Sequence, residues 1–277
     1  MLFQDQGIKV LEIMIDISKH NDVTSVKTMV GRSGMTVYLF MVDGMLIDTG
    51  PQILESELIA FYDQYDFDFV ILTHSHEDHS GTAPWIERNK NVPIYIHPKG
   101  ISICEKTGDY PEYRQNAWGN RKAFYPLPLG NRINSRNLEW EVIYTPGHAD
   151  DHISLYDKEN GRLFSGDLYI LPTVKVLMRS ESISQMINSI RKLLRLEFET
   201  MYCSHAGYLP NGREELKSKL DNLQYMYGTV MDLYEKGYSI SEIDQTLFSK
   251  KYSIEKYSKG EYSSINIVHS IVADLQK

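Results

Sequence analysis

Short runs of apolar residues, each closed by glycine or polar residues, recur along the first three quarters of the chain. Runs of this length predict buried or half-buried strands. The predicted strands cover residues 8–17, 36–48, 69–73, 92–97, 138–144, 153–156, 162–164 and 200–203. The pairs Asp43-Gly44 and Asn160-Gly161 lie between apolar runs, and such pairs are typical of hairpin turns.

Apolar residues spaced three and four positions apart predict helices between these strands and after them. The predicted helices cover residues 53–62, 81–90, 182–197, 211–237, 239–248 and 263–276. Strands and helices alternate up to about residue 210, and only helices follow. This order predicts a mixed domain at residues 1–210 and a helical extension at 211–277, with the apolar positions of 216–233 interpreted as a packing face.

Residues 98–137 are the least regular part of the chain. They contain several prolines and glycines together with five aromatic residues, namely Tyr110, Tyr113, Trp118, Phe124 and Tyr125. We expect a long loop here, and two interpretations of its aromatic residues stay open. They form a wall for a substrate, or they pack an irregular connection.

Composition narrows the class of protein. The 277 residues allow one large domain or one domain with an appendage, and hydrophobic residues make up 42% of them. The net charge of -8 disfavours non-specific binding to nucleic acid. Two cysteines suit a reducing compartment, and neither a signal peptide nor a membrane span is evident. We therefore expect a cytoplasmic protein that is not bound to a membrane.

Residues 73–79 read T-H-S-H-E-D-H and directly follow the predicted strand at 69–73. Histidine nitrogen and aspartate oxygen are ligands that zinc takes in proteins. A random match to H-x-H-x-D-H is expected in about one in a thousand chains of this composition, so a loop that is histidine-rich by chance is a poor explanation. The motif predicts a metal site at the rim of a sheet.

Three more potential ligands, His148, Asp167 and His205, also follow predicted strands. Together with the motif they make seven donors, which is too many for one tetrahedral zinc and suits two cations. Asp167 has two carboxylate oxygens, and a carboxylate can bridge two cations. Of the other histidines, His20, His97 and His269 are not expected to be ligands, and His152 is interpreted as a structural or supporting residue. Cys203 is expected to be a buried small residue.

The motif together with T-P-G-H, S-G-D and a late S-H, in this order, resembles the metallo-β-lactamase superfamily over about residues 8–210. The resemblance implies an α+β fold, a four-layer αββα sandwich, with the catalytic domain at 1–210 and the helical extension behind it. It implies that His74, His76 and His148 hold the first metal, that Asp78, His79 and His205 hold the second, and that Asp167 bridges them. Asp48 matches a position that orients a ligand histidine from outside.

The resemblance also sorts the possible activities. The family's β-lactamases with a zinc-binding cysteine have it where this chain has Asp167, and the flavodiiron relatives have glutamate where this chain has His76. Neither antibiotic hydrolysis nor flavodiiron oxygen chemistry is therefore expected. Tyr169 is predicted to donate a hydrogen bond to the substrate, with Asp78 and Asp167 as the other catalytic residues.

Lys175 and Arg179 follow the Asp167 strand, and the resemblance gives two interpretations of them. They contact an anionic substrate, as cationic residues do in this region of the glutathione thioesterases of the family. Alternatively, they are solvated surface charges.

The predicted function is hydrolysis of small carboxylic esters, thioesters or lactones by a hydroxide formed between two zinc ions, with iron or manganese as possible replacements. Three alternatives stay open. They are a metal-dependent endoribonuclease or phosphodiesterase of the same fold, a mono-iron persulfide dioxygenase, and a binding protein without catalysis. The expected partner is a small-molecule substrate, no nucleic acid or membrane is expected, and a homodimer is left open.

Overall fold

A computed structural model describes residues 14–30 and 35–276 of the chain, so residues 8–13 of the first predicted strand lie outside the described part. The predicted strands are present and end within one to three residues of the predicted positions. Strands that were not predicted lie at Val23–Val30, Leu127–Pro128, Arg132–Asn134, Leu177–Met178, Gly207–Leu209 and Tyr262–Ser263. The last of these corrects the expectation that only helices follow residue 210. The strands in the described residues are β1 (Met14–His20), β2 (Val23–Val30), β3 (Met35–Val42), β4 (Met45–Ile47), β5 (Phe69–Ile71), β6 (Ile94–Ile96), β7 (Leu127–Pro128), β8 (Arg132–Asn134), β9 (Glu139–Tyr144), β10 (Ile153–Asp157), β11 (Arg162–Gly166), β12 (Leu177–Met178), β13 (Thr200–Cys203), β14 (Gly207–Leu209) and β15 (Tyr262–Ser263).

Two large sheets form the middle of the molecule. Across the described residues, the first has the order β1-β2-β3-β4-β5-β6-β7 and the second the order β14-β13-β11-β10-β9-β8. β4, β5, β6 and β7 run parallel to one another, and β11 runs parallel to β13. Because the ends of parallel strands meet at one edge of a sheet, residues that follow these strands are brought together.

The helices lie outside the sheets. Those in the described residues are α1 (Glu55–Gln64), α2 (Glu77–Ser80), α3 (Ala83–Asn89), α4 (Pro98–Cys104), α5 (Glu112–Trp118), α6 (Ile183–Leu193), α7 (Gly212–Glu235), α8 (Ile240–Leu247), α9 (Ser253–Tyr257) and α10 (Ile265–Val272), with short 3₁₀ helices at Gln52–Leu54 and Ala273–Gln276. Ser182 caps α6, and Ser239 and Glu242 form a capping box at α8.

The hydrophobic core is layered. Phe40, Trp140 and Phe164 belong to the cluster between the two sheets. A second cluster lies between the first sheet and α1, α3 and α4, and a third lies between the second sheet and the helices α6, α7, α8 and α10. The layers are therefore helix, sheet, sheet, helix, and the predicted four-layer αββα sandwich is confirmed.

Both predicted hairpins are present. β3 pairs antiparallel with β4, and β10 pairs antiparallel with β11. Asp43 and Gly44 have φ values of 49° and 79°, the left-handed conformation that the residues of a tight hairpin turn adopt.

The expectation of a long loop at 98–137 is wrong, because this region contains α4, α5, β7 and β8. The same residues that suggested irregularity delimit these elements. Pro98 is the first residue of α4, Pro111 precedes α5, and Gly119 ends α5 with a φ of 83°. Each helix has seven residues, which is too short to show a clear helical period.

The C-terminal helices pack directly on the sandwich. Leu216, Leu223 and Ile267 belong to the same hydrophobic cluster as Leu163 of β11 and Ile187 of α6. We call residues 211–276 the C-terminal cover; the division at residue 210 stays a prediction. No helix in the described ranges is both long enough and apolar enough to cross a membrane.

Candidate metal centre

Seven histidine and aspartate side chains meet at the edge where the parallel strands end. His74 and His76 follow β5, and Asp78 and His79 lie on α2. The other three follow β9, β11 and β13. We call the seven side chains the metal cluster, and they are His74, His76, Asp78, His79, His148, Asp167 and His205.

The first half of the cluster contains three imidazoles. His74 Nε2 lies 3.0 Å from His76 Nδ1, and His148 Nε2 also lies 3.0 Å from His76 Nδ1. Their ligand atoms lie within 4.8 Å of one another, and all three rings are largely or fully buried. Three ring nitrogens that converge in this way form one face of a tetrahedral site.

The second half contains two carboxylates and two imidazoles. His205 Nε2 lies 3.0 Å from Asp167 Oδ2, and His79 Nε2 lies 3.4 Å from the same oxygen. Asp78 Oδ2 lies 3.5 Å from His79 Nε2 and 3.4 Å from His205 Nε2. Asp167 Oδ2 is also 3.4 Å from His148 Nε2, so this one oxygen faces both halves of the cluster.

Three of the five ligand histidines have partners at their outer nitrogens that fix their tautomers. His79 Nδ1 donates to Asp48 Oδ2 over 2.8 Å, and His148 Nδ1 donates to Glu181 Oε1 over 2.6 Å. His205 Nδ1 donates to the Thr36 carbonyl over 2.5 Å. Because these three outer nitrogens carry the proton, the Nε2 atoms of the same three rings present lone pairs to the inside.

The donor set fits two divalent cations. Several inward lone pairs face carboxylate oxygens or one another, an arrangement that is repulsive unless a cation or a proton lies between them. His79 Nε2 and Asp167 Oδ1 are buried and have no hydrogen-bond partner among the described residues. Burial lowers the pKa of His79. The negative charges of Asp167, Asp78 and Asp48 outweigh this effect and raise the pKa of His79 well above its ordinary value. Cations would replace the protons that these carboxylates attract.

Asp48 occupies the place that the resemblance implies for it. Its Oδ2 accepts from His79, and its Oδ1 accepts from the Thr73 backbone N–H over 2.8 Å. It follows β4 and has a φ of 59°, a left-handed conformation that aspartate tolerates better than most residues. One carboxylate therefore connects the end of β4 with the motif that follows β5.

The S-G-D motif is shaped by His152. His152 Nε2 accepts a hydrogen bond from the Asp167 backbone N–H over 3.0 Å, which makes His152 a supporting residue and not a ligand. A β-carbon at Gly166 would lie 2.5 Å from His152 Nε2, and Gly166 has a φ of 52°. Glycine is needed at this position because of both restrictions.

The other histidines lie away from the cluster. His97 accepts from the Lys99 backbone N–H at the start of α4, and His20 stacks on Tyr208. His269 lies on α10 and lines an outer cavity. Cys203 is fully buried, and its Sγ donates to the Tyr169 carbonyl.

Two supporting contacts were not found from the sequence. One is Glu181, whose carboxylate orients His148 and also accepts from the Met178 N–H over 2.7 Å. The other is an ion pair between Glu77 of the motif, which is buried, and Arg114 of α5. Arg114 donates twice to Glu77, over 2.5 and 2.7 Å. Arg114 also contacts Glu261 of the C-terminal cover over 3.2 Å.

Two chambers flank the metal cluster. The large chamber, about 600 Å³, is lined by His76, Asp78 and His205 and by aromatic residues that include Tyr113 and Trp118. The small chamber, about 290 Å³, is lined by His148 and Asp167 and by mostly apolar residues. Val176, Ile254 and Tyr262 line both chambers and so lie between them.

Four of the five aromatic residues of 98–137 divide between the two open interpretations, and the fifth, Tyr125, is exposed. Tyr113 and Trp118 line the large chamber, as a substrate wall requires. Phe124 is buried in the hydrophobic cluster under the first sheet. Tyr110 lies against Arg114 and Arg121.

The structure disagrees with the role expected for Tyr169. Its side chain is 3% exposed and its hydroxyl donates to Glu215 of α7 over 2.5 Å. The ring belongs to the core between the second sheet and the helices, so the hydroxyl is occupied by a structural contact. Lys175 lines the small chamber as an exposed residue, whereas Arg179 lines two outer cavities.

Several residues of the C-terminal cover line the chambers, and two of them, Tyr262 and Lys219, carry polar groups that a substrate can contact. Tyr262, on β15, faces both chambers, and its hydroxyl has no hydrogen bond to any described residue. Burial, and then the charge of Glu181, raise its pKa well above the ordinary value, so the hydroxyl keeps its proton. Lys219, on α7, lines the small chamber and is 4% exposed. The sequence held a signal for Lys219, because it falls between Leu216 and Leu223 on the apolar side of a predicted helix.

Known proteins with similar sequences carry the names of hydrolases. The model of a family described as the Metallo-beta-lactamase superfamily matches residues 38–205. A hydroxyacylglutathione hydrolase of Hahella chejuensis is 31% identical over 147 residues, which are 52% of this chain and half the length of that protein. A hydroxyacylglutathione hydrolase of Aeromonas salmonicida is 27% identical over 226 residues, covering 76% of this chain and 80% of that protein.

Among solved structures, a beta-lactamase domain protein from Burkholderia ambifaria superposes with a TM-score of 0.72 over 94% of this chain and 88% of that one. The two sequences are 16% identical, so this likeness concerns the fold alone. It extends beyond residue 205 and therefore includes much of the C-terminal cover.

Proposed function

Because the chain belongs to the metallo-beta-lactamase superfamily and is a metal-dependent hydrolase, we propose that it hydrolyses small carboxylic esters, thioesters or lactones with two zinc ions. The observation that carries the proposal is the position of Asp167. One of its oxygens lies within 3.4 Å of ligand nitrogens from both halves of the cluster. This is the arrangement that a bridging ligand between two cations requires.

The residues that would hold the cations follow from the two halves. His74, His76 and His148 would hold one, and Asp78, His79 and His205 would hold the other, with Asp167 between them. When bound, two such cations lower the pKa of a water molecule toward neutrality and polarise a carbonyl oxygen. Five imidazoles and two carboxylates suit zinc, and they also accept iron or manganese.

The chain's own residues supply orientation and a dry site. Asp48, Glu181 and the Thr36 carbonyl hold three imidazoles in the ligand tautomer. Tyr262 lies between the chambers with a protonated hydroxyl and donates a hydrogen bond to the substrate oxygen. The scissile bond lies beside the cluster, with one part of the substrate in each chamber. The mostly apolar walls of the small chamber exclude water and strengthen these interactions.

Names of relatives support the carboxylic substrate class. Two relatives are hydroxyacylglutathione hydrolases, and that name describes cleavage of an acyl group from a thiol. Zinc as the metal, a small-molecule substrate as the main partner, a homodimer and a cytoplasmic location remain part of the proposal. So do contacts of Lys175 and Arg179 with an anionic substrate.

The test begins with the metals. The purified protein should contain two zinc ions per chain by mass spectrometry, whereas one iron per chain would support the dioxygenase alternative. A chelator should abolish turnover and added zinc should restore it. A panel of a lactone, a glutathione thioester, an aryl ester and an aryl phosphodiester then assigns the substrate class, and cleavage of the phosphodiester alone would contradict the proposal.

Two variants test the cluster itself. Asp167→Ala and His76→Ala should abolish turnover while the circular dichroism spectrum and the melting temperature show a folded protein. His97→Ala, which removes a histidine outside the cluster, serves as the control. Activity near that of the wild type in either cluster variant would overturn the two-cation site.

A further inference from the structure

Lys219 is a buried cation beside the metal cluster. It lies on α7, is 4% exposed, and lines the small chamber together with His148 and Asp167. Its ammonium group forms no hydrogen bond or ion pair with any described residue. The ammonium lies 5.9 Å from the centre of the Tyr169 ring.

The acidic residues nearby already have partners. Glu181 accepts from His148 and from the Met178 N–H, and Glu215 accepts from Tyr169. Asp167 faces the ligand histidines. A desolvated ammonium without a partner is costly, so an anion that enters the small chamber would gain a strong, charge-assisted contact.

The shape of the small chamber limits what this anion is attached to. Ile170, Val174, Leu177 and Met186 line the space, which suits a hydrocarbon chain. At about 290 Å³ it holds roughly ten non-hydrogen atoms, if each takes about as much space as a water molecule. Lys175 lines this chamber as well, but it is exposed and solvent screens its charge.

The large chamber suits the rest of the substrate. It shares Tyr113, Ser253 and Tyr257 with an outer cavity of about 870 Å³, so a large leaving group can extend outward on this side. The smaller, mostly apolar side is then left for the acyl group.

We propose that Lys219 binds a carboxylate at the far end of the acyl chain, so that the preferred substrates are hemi-esters or hemi-thioesters of short dicarboxylic acids. This rests on the proposed hydrolase function and adds a substrate class to it. Lys219 acts here as a specificity-determining residue. Hydrolysis breaks the bond between the acyl carbon and the leaving oxygen or sulfur, water supplies the new oxygen, and the leaving group takes a proton. The product is a free dicarboxylate.

The kinetic experiment compares two acyl groups of the same shape. Mono-4-nitrophenyl glutarate ends in a carboxylate, and 4-nitrophenyl 5-methylhexanoate ends in a neutral isopropyl group. After correction for uncatalysed hydrolysis, the zinc-loaded wild type should have a kcat/KM at least tenfold higher for the glutarate. Lys219→Met should lose this preference and keep kcat/KM for the neutral ester within twofold, and Lys219→Arg should retain part of the preference.

Two outcomes would overturn the proposal: no preference in the wild type, or an unchanged preference in Lys219→Met, whether kcat/KM on both esters falls equally or stays the same. An ester with the carboxylate on the leaving group, 4-carboxyphenyl butyrate, gives a further arm. If Lys219→Met affects this ester and spares the glutarate, the acyl assignment is wrong.

A binding measurement separates this proposal from the hydrolase function. Monomethyl glutarate should bind the metal-free protein, by calorimetry, more tightly than neutral dimethyl glutarate does. Lys219→Met should weaken binding of the monoanion at least tenfold, and Lys217→Met, an exposed lysine two residues away on α7, should not. If no ester is turned over but this difference is found, the hydrolase proposal fails and the carboxylate site stands. Equal binding to both variants removes the site.

Discussion

The metal cluster and the C-terminal cover contribute to the same cavity in different ways. Each cluster residue follows a strand by a few positions, so strand order alone brings these residues to one edge. Tyr262 and Lys219 reach the cavity because β15 pairs with β12 and α7 packs on α6, contacts between segments far apart in the chain. The residues of the metal cluster are therefore specified by local sequence. The chamber residues Tyr262 and Lys219 are placed by tertiary packing.

The reaction and the specificity of such a chain therefore depend on different regions. The cluster sets what kind of bond is attacked, and its residue types are constrained by the cations. The cover sets which molecules reach the cluster, and its residues are constrained by shape and charge. A function inferred from the cluster therefore stops at the reaction class.

Arg114 joins the two regions, and its removal gives the largest expected effect on stability. It pairs with Glu77, whose side chain is 0% exposed, and with Glu261 of the cover. Arg114→Met leaves a buried carboxylate without its partner, which should lower the free energy of unfolding by about 3 kcal/mol. Urea unfolding measures the change.

Arg132→Met is the matched control, because Arg132 and its partner Glu139 are both exposed. An exposed pair contributes about 1 kcal/mol or less. Adding Glu77→Gln to Arg114→Met should recover much of the lost stability, since no buried charge is then left unpaired. If Arg114→Met costs no more than the control, the two regions are not joined by this pair.

The sequence predicts the metal cluster well because strand ends and ligand spacing are local properties. His148, Asp167 and His205 were predicted because each follows an apolar run. The two hairpin turns were likewise predicted from local pairs, Asp43-Gly44 and Asn160-Gly161. Local order does not give the direction of a side chain after a strand. Tyr169 lies two residues after Asp167, yet its ring points into the core under α7. Tyr262 gave no local signal, because its position depends on a two-residue strand pairing.

Glu181 and Asp48 provide a second test of the difference between residues specified by local sequence and residues placed by tertiary packing, with a smaller expected effect. Both accept a hydrogen bond from the outer nitrogen of a ligand histidine, but Asp48 was identified from the motif pattern and Glu181 was not. Glu181→Gln should weaken the binding of zinc about tenfold, at the lower end for such residues because the amide oxygen still accepts a hydrogen bond. Competition with a chromophoric chelator measures the affinity.

Asp48→Asn should show a loss of similar size, and the exposed residue Glu197 gives the control, Glu197→Gln. Loss in Asp48→Asn alone would mean that the residues supplied by the motif suffice to order the cluster. Loss in both variants would mean that the segment before α6 is part of the metal site, although its sequence shows no motif.

Two tyrosines test where the catalytic hydroxyl comes from, and the effects expected from them are no larger than about tenfold. Tyr262→Phe should lower kcat/KM about tenfold, the cost of one hydrogen bond to a developing charge, and leave the free energy of unfolding nearly unchanged, since its hydroxyl has no partner among the described residues. Tyr169→Phe should do the opposite: about 1 kcal/mol less stable, because Glu215 loses its hydrogen-bond donor, with kcat/KM within about twofold. The two variants remove the same atom from the same residue type, so they differ in location alone. The reverse result would mean that Tyr169, beside Asp167, supplies the catalytic hydroxyl. The C-terminal cover would then contribute shape and charge to the cavity but no group to the reaction.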